Sequence, residues 1–252
     1  MITSSRITRN AGRTIPCFCA VVVLLMLAVG PLEGATLFFN TSDSQFDPGV
    51  DNQGWWSDNI VNGTANDDYI TGAYTQTVQS ETRSFFTFDL SSLSQPALSA
   101  TLEVVRYRYS SPDPSETLGL FDVTTDAATL NNNTGTSATI FADLGSGTSY
   151  GTFVIPAYSS SSTETLTFPL NAAAIANINA STGFFSIGGA LLSLNPSDGS
   201  YEFVFDTASG FGIQRLIVET AASSAVPQPS TLLLLGVGGL VSLAGTILRR
   251  KA

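Results

Sequence analysis

Four aspartates in a long polar segment offer the most recognisable chemistry in the sequence. The segment covers residues 40–71 and is rich in Asp, Asn and Gly. Carboxylate oxygens are ligands that Ca²⁺ prefers, so these side chains form a candidate Ca²⁺ site. Their spacing matches neither an EF-hand loop nor a glycine–aspartate repeat, so a solvated acidic loop is the alternative interpretation. The four residues are Asp47, Asp51, Asp67 and Asp68.

Three aromatic residues in the same segment are candidates for stacking on sugar rings. They are Trp55, Trp56 and Tyr69. Aromatic side chains dominate cores as well as interfaces, so the alternative is that at least one tryptophan belongs to the core. A structureless loop of this length is uncommon in a compact domain and is often functional.

The residue types that are missing exclude several kinds of catalysis. The chain has no histidine, and its two cysteines, Cys17 and Cys19, lie in an N-terminal apolar run. His-dependent triads, His-ligated metals, and disulfides within the mature body are therefore excluded. Paired carboxylates for glycoside hydrolysis stay open, but no pair is distinguishable. We therefore predict no catalytic residues and a body that is not an enzyme.

The charge is unevenly distributed along the chain. Residues 35–226 contain four arginines, no lysine and 19 of the 20 acidic residues, a formal charge of −15 within a total of −10. Phosphate binding requires clustered Lys and Arg, so we predict no nucleic-acid partner.

Short strand-like runs separated by turn signals fill residues 35–220. In residues 97–109, Leu98, Ala100, Leu102 and Val104 share one face with period two. In residues 83–90 the alternation is clear except at Phe85, which breaks it. Roughly nine or more such strands predict an all-β fold, an antiparallel β-sandwich. One short helix is expected over residues 171–180, with Asn171 as its cap.

The N-terminus has the order of a secretory signal peptide. Arg6, Arg9 and Arg13 precede an apolar run over residues 15–29, and small residues follow. We predict a signal peptide over residues 1–34, with an uncleaved N-terminal anchor as the alternative.

The C-terminus has the order of a membrane span followed by a basic stop. Residues 231–248 carry no charge. As a helix they would reach about 27 Å, close to a hydrocarbon core of about 30 Å. The basic tail, residues 249–252, should stay in the cytoplasm and leave the body outside it. Its three basic residues are Arg249, Arg250 and Lys251.

The linker before this span completes a recognisable pattern. Residues 221–230 contain a Pro-Gln-Pro block that is extended and not helical. The block, the Gly-rich apolar helix and the terminal Arg-Arg-Lys together resemble a PEP-CTERM sorting signal, although Gln228 stands where that family usually has Glu. The residues that carry the motif are Val226, Pro227, Gln228, Pro229, Ser230 and Thr231.

The resemblance implies a processing partner and a destination. PEP-CTERM signals are cleaved by an exosortase in Gram-negative bacteria that make exopolysaccharide. The expected precursor is exported and anchored in the inner membrane by a single span, and its product reaches the cell surface or extracellular matrix.

A second resemblance concerns the body. Residues 83–93 and 98–104 are similar to the Arg-x-x-x-x-Phe-Asp-Leu-Ser and Ser-Ala-Thr-Leu pattern of DNRLRE-like domains. This resemblance implies a β-sandwich of jelly-roll type, related in shape to carbohydrate-binding modules.

These observations together predict a structural or carbohydrate-binding component of an exopolysaccharide-rich layer or biofilm. No cofactor is predicted apart from the Ca²⁺ that the aspartates could bind. Two alternatives stay open: a secreted polysaccharide hydrolase that acts through carboxylates, and a plain membrane-anchored ectodomain.

Overall fold

A computed structural model describes residues 34–64, 66–73, 81–159, 162–195, 201–205 and 212–222 of the chain. The predicted signal peptide up to residue 33, the sorting motif, the predicted span and the basic tail lie outside these residues. A strand that the sequence suggests over residues 74–78 lies outside them too.

The described residues form twelve strands and three helices. In chain order they are β1 Thr36–Asn40, β2 Gln53–Trp56, β3 Thr71–Ala73, β4 Glu81–Asp89, β5 Ala97–Arg106, β6 Arg108–Ser110, β7 Ser115–Asp122, α1 Ala127–Asn132, α2 Ala138–Asp143, β8 Ser149–Pro156, β9 Glu164–Pro169, α3 Ala172–Ala180, β10 Phe184–Leu191, β11 Glu202–Phe205 and β12 Arg215–Thr220.

The strands form two antiparallel sheets, which confirms the predicted all-β antiparallel fold. The smaller sheet has the order β1-β12-β5-β9, so the first and last described strands pair with each other. The larger sheet has the order β6-β11-β3-β4-β10-β7-β8, with β2 paired to β4 off this path. Their inner faces share one large hydrophobic core, which includes Leu102 from β5, Phe86 from β4 and Ile187 from β10.

The smaller sheet shows the simple alternation that the sequence predicts, with one exception. Ala100, Leu102 and Val104 of β5 are buried. Leu98, which was assigned to the same face, is 66% exposed. The pairing of β12 with β5 shifts its register at this point, and Leu98 is the residue left without a partner. Such a bulge turns a side chain away from the face that period two assigns to it.

At β4 and β10 the larger sheet is buried on both faces, which explains Phe85. Phe86 faces the sandwich core, whereas Phe85 packs on the opposite side. Its neighbours there come from β2, from the two helices that cover this face and from the residue that follows the second helix, and they are Trp56, Leu130, Ile140 and Leu144. The backbone of Leu144 also lies against Gly188 of β10, where a Cβ atom would come within 2.6 Å of its carbonyl oxygen. Gly188 therefore permits the close approach of the covering segment.

The three helices are capped by side chains of the preceding residue. The predicted helix is α3, and Asn171 accepts hydrogen bonds from the backbone N–H groups of Ala173 and Ala174, as expected. The sequence predicts one helix, but α1 and α2 are also present and are capped by Asp126 and Ser137. Each has six residues, which is too short for a helical hydrophobic period to be visible in the sequence.

Candidate functional site

The three aromatic residues predicted to stack on sugars lie in the protein interior. Trp55, Trp56 and Tyr69 are all buried. The indole N–H of Trp56 donates to the carbonyl of Leu130 at 3.0 Å, and the hydroxyl of Tyr69 donates to the carbonyl of Val105 at 2.7 Å. The rings are therefore not exposed platforms, and the alternative interpretation is correct for both tryptophans. Trp56 packs with Phe85 on the covered face of the larger sheet, Trp55 packs with Ile70 and Phe203, and Tyr69 packs on Phe86 in the core between the sheets.

The candidate Ca²⁺ ligands are not assembled into a metal site. Among the described residues, no group of three or more acidic, His or Cys side chains is placed to hold a metal ion. Asp51 instead accepts a hydrogen bond from Gln45 at 2.7 Å. Burial raises the pKa of Asp51 and the charge of Asp67 adds to this, although the bond from Gln45 acts in the opposite direction. The prediction that Asp47, Asp51, Asp67 and Asp68 together bind Ca²⁺ is therefore not supported.

Amide side chains order the same polar segment. Asn52 donates to the backbone carbonyls of Asp43 and Ser44, and its own carbonyl oxygen accepts from the backbone N–H of Phe46. The segment also contains β2, which pairs with β4. The segment predicted to be a structureless loop thus contributes a strand to the larger sheet and is held by hydrogen bonds of Asn52.

An open pocket of about 260 Å³ lies elsewhere, at one end of the larger sheet. Three planar polar side chains converge on it: Asp122 ends β7, Tyr150 lies near the start of β8, and Asn177 lies in the last half of α3. Ser181, which follows α3, and the first residues of β10 complete its wall. The sequence gives no sign of this site, because its members come from four separate elements.

The polar groups of this pocket keep hydrogen-bonding capacity. The amide of Asn177 donates to the hydroxyl of Tyr150 at 2.8 Å, which leaves the phenol proton to be donated elsewhere. The backbone N–H of Thr148 donates to Oδ1 of Asp122. Within the described part of the chain, Oδ2 of Asp122 and Oδ1 of Asn177 have no protein donor. The pocket therefore presents two acceptors and one donor in close proximity.

The environment of Tyr150 keeps its phenol protonated. Burial raises the pKa of Tyr150 and the charge of Asp122 adds to this, while the bond from Asn177 lowers it. The ring also stacks on Phe185 with a centroid separation of 5.8 Å. Tyr150 is thus a neutral, well-positioned hydrogen-bond donor at physiological pH.

An exposed pair of rings borders the pocket. Phe184 lines it and is 40% exposed, and Phe46 is 36% exposed. Their centroids lie 4.6 Å apart. Neighbouring half-exposed rings provide an apolar surface beside the polar wall.

A second pocket of about 250 Å³ adjoins the first one. Ser181 lines both pockets, so the end of α3 separates them. The second pocket contains Ser94, Gln95 and Asn179 and has no charged lining residue. The side chain of Asn179 bonds to both backbone groups of Ala97, which fixes the wall between helix and sheet.

A third pocket of about 340 Å³ lies between Tyr109 and Tyr158. The guanidinium of Arg106 is buried, lies 4.4 Å from the Tyr158 ring centroid, and donates to Glu164 and to the carbonyl of Pro156. This charge therefore holds the sandwich edge together and is not available to a ligand.

Comparison with known families bears on the C-terminal segment. The family model for the PEP-CTERM protein-sorting motif matches residues 225–251. The chain carries a PEP-CTERM sorting motif. The match includes the predicted motif residues from Val226 to Thr231 and the basic stop at Arg249, Arg250 and Lys251. No curated protein matches the chain.

The PEP-CTERM motif implies an exported precursor that is anchored at a membrane and processed by an exosortase-type enzyme. The predicted span lies outside the described residues, and none of the helices within them has the length and apolarity needed to cross a membrane. The matched residues, 225–251, lie outside the described residues, so the match does not bear on the body. The resemblance of the body to DNRLRE-like domains thus stays a prediction.

Proposed function

We propose that the protein is delivered to an exopolysaccharide-rich layer outside a Gram-negative cell, where its β-sandwich is a structural or carbohydrate-binding component. The observation that carries this proposal is the sorting motif at residues 225–251. Exosortase-type processing near residues 227–229 would release the body from its membrane span.

The pockets favour a binding role over hydrolysis. Among the lining residues of the three described pockets, Asp122 is the single carboxylate. Glycoside hydrolysis by the usual route requires two carboxylates about 5–10 Å apart. A body that binds or organises polysaccharide, and does not cut it, is therefore the function that we propose.

Fractionation of two isogenic hosts, one with and one without the exosortase, tests the delivery step. We expect the wild-type body outside the cell only in the host that has the enzyme. A Pro227→Ala, Pro229→Ala variant should stay with the membrane, because the Pro-Gln-Pro block of the sorting motif is lost. A matched Ser223→Ala, Ser224→Ala variant should behave like the wild type. The same membrane distribution of the wild type in both hosts would instead support a plain anchored ectodomain.

A further inference from the structure

We propose that the two adjoining pockets beside Ser181 bind two successive sugar rings of an uncharged glycan, without a metal ion. This inference rests on the proposed carbohydrate-binding function and assigns it a site and a ligand class. Phe184 at the border of the first pocket and Gln95 in the second mark the two ends of this site.

The size and arrangement of the pockets fit single sugar rings. Their volumes are about 260 and 250 Å³. Both values lie below the range of roughly 300–1,000 Å³ that is usual for drug-sized ligands. The two pockets lie against Ser181 at the end of α3, so we place one ring in each pocket, with the linkage beside Ser181.

The polar groups of the first pocket match the hydroxyl pattern of a sugar. Each sugar hydroxyl can donate one hydrogen bond and accept others. Asp122 and Asn177 supply acceptors, and Tyr150 supplies a donor. Such a mixed set holds neighbouring hydroxyl groups, whereas an apolar ligand would leave these groups unsatisfied at a cost of about 1–3 kcal/mol each.

The exposed rings supply the apolar part of the site. The C–H groups of a pyranose form an apolar surface that packs on an aromatic face. Phe184 lines the first pocket, and its contact with Phe46 restrains the ring beside the polar wall. Small-molecule sites usually combine aromatic side chains with a few convergent polar groups.

Charge decides which sugars the site accepts. Asp122 is the one charged group among the lining residues of the two pockets, and neither pocket contains Arg. A carboxylate, sulfate or phosphate on the glycan would face Asp122 with no cation to balance it. The site is therefore selective for uncharged glycans over uronate-containing, sulfated or phosphorylated ones.

Hydrogen bonds hold the walls of the site in place. Asn179 ties α3 to Ala97 of the smaller sheet with bonds of 2.7 and 3.1 Å. The backbone N–H of Ser181 donates to the carbonyls of Asn177 and Ile178, which fixes the shared wall. Preorganisation lowers the cost of ordering groups on binding.

Calorimetric titration of the full-length chain, in micelles of a detergent without a sugar headgroup, tests the proposal. The probes are neutral and uronate-containing oligosaccharides of matched length, each added with EDTA. We expect binding of at least one neutral series and none of the matched acidic series. The affinity should rise from one ring to two and change little beyond two. Binding that requires Ca²⁺, equal binding of acidic probes, or no binding of any neutral probe would overturn the proposal.

Single variants locate the site. Asn177→Ala should weaken neutral-glycan binding about 10-fold, which corresponds to the loss of one or two hydrogen bonds. Phe184→Ala should weaken it about 5-fold or more, while the matched Phe38→Ala, at an exposed ring on β1, should have no effect. Gln95→Ala should weaken binding of two-ring ligands only. Unchanged affinity in Asn177→Ala and Phe184→Ala would overturn the assignment.

A charge-matched pair tests the selectivity. Asp122→Asn should weaken neutral-glycan binding and remove the discrimination against uronates, whereas Asp113→Asn, in the loop between β6 and β7, should change neither. Persistence of the discrimination in Asp122→Asn would contradict the role of Asp122. Because binding is measured on the uncut chain, a failure of tail processing and a failure of glycan binding give separate results.

Discussion

The two sheets of the sandwich bury their residues in different ways. In β5 of the smaller sheet, burial alternates along most of the strand, because only its inner face meets the core. In β4 and β10 of the larger sheet, consecutive residues are buried, because a second layer covers the outer face. That layer consists of α1, α2 and Leu144, and the side chain of Trp56 from β2 packs against it. A period-two pattern in the sequence therefore predicts which residues are buried along most of β5, but it misses the buried residues of β4 and β10 that lie on the outer face.

The two outer faces also differ in what stabilises them. On the smaller sheet, the exposed ring of Phe38 lies over Arg215, which pairs with Glu103 at 2.6 Å. On the larger sheet, Phe85 and its neighbours form a second apolar cluster. The covering layer should therefore contribute substantially to stability, whereas the solvent face of the smaller sheet should contribute little.

The largest expected difference is between Phe85→Ala and Phe38→Ala. Both phenylalanines point away from the shared core, but Phe85 is fully buried and Phe38 is 54% exposed. We expect Phe85→Ala to lower the free energy of unfolding by about 3–5 kcal/mol, because a buried ring is removed and a cavity is left behind. Phe38→Ala should lower the free energy of unfolding by less than about 1 kcal/mol. Urea unfolding measures both, and equal losses would show that the covering layer does not pack as described.

A smaller effect is expected at Asp143, which ties the end of α2 to the loop before α1. Its carboxylate accepts four hydrogen bonds from Thr124 and Thr125, with lengths of 2.7 to 3.0 Å. Asp143→Asn should lower the free energy of unfolding by about 1–2 kcal/mol at pH 7. Glu103→Gln, which breaks the exposed pair with Arg215, should cost less than about 1 kcal/mol. Urea unfolding at pH 7 distinguishes them, and the reverse order would contradict the comparison.

The cost at Asp143 should depend on pH. Burial pushes the pKa of Asp143 upward, but the bonds from the two threonines outweigh this effect and hold the pKa below its ordinary value. The ionised group is thus more favourable in the folded state. Its contribution is complete above the unfolded pKa of about 3.9 and is lost as the pH falls through the lower folded pKa. The difference between wild type and Asp143→Asn should therefore shrink below about pH 4. A constant difference down to pH 2 would contradict this.

The smallest expected effect is that of Ca²⁺ on the stability of the polar segment that contains Asp51 and Asp67. Asp51 accepts a hydrogen bond from Gln45, and no group of three potential ligands forms among the described residues, so Ca²⁺ or EDTA should leave the thermal unfolding temperature unchanged. A ligand that binds only the folded state must raise that temperature. A rise with Ca²⁺ that disappears in Asp51→Asn, but not in the matched exposed variant Asp58→Asn, would restore the original prediction of a metal site.

The sequence predicts the fold class and most strands because turn residues and alternation are local signals. It assigns Leu98 to the wrong face because a bulge depends on the partner strand β12, which is more than 100 residues away. It leaves Phe85 unexplained because the covering helices are too short to show a period.

The candidate site is less predictable than the fold. The aromatic residues and aspartates that stand out in the sequence lie close together along the chain, and the structure packs or separates them. Asp122, Tyr150 and Asn177 meet only after β7, β8 and α3 have assembled, so no local pattern marks them. The sorting motif is the opposite case. It is read as a contiguous peptide, so its sequence is sufficient to identify it.

The most direct test of the central claim is the mass of the protein recovered outside an exosortase-bearing host. Mass spectrometry should show a chain that begins near residue 35 and ends near residues 227–229, without the apolar segment and the basic tail. Recovery of a surface protein that still carries Arg249, Arg250 and Lys251 would contradict processing at the sorting motif.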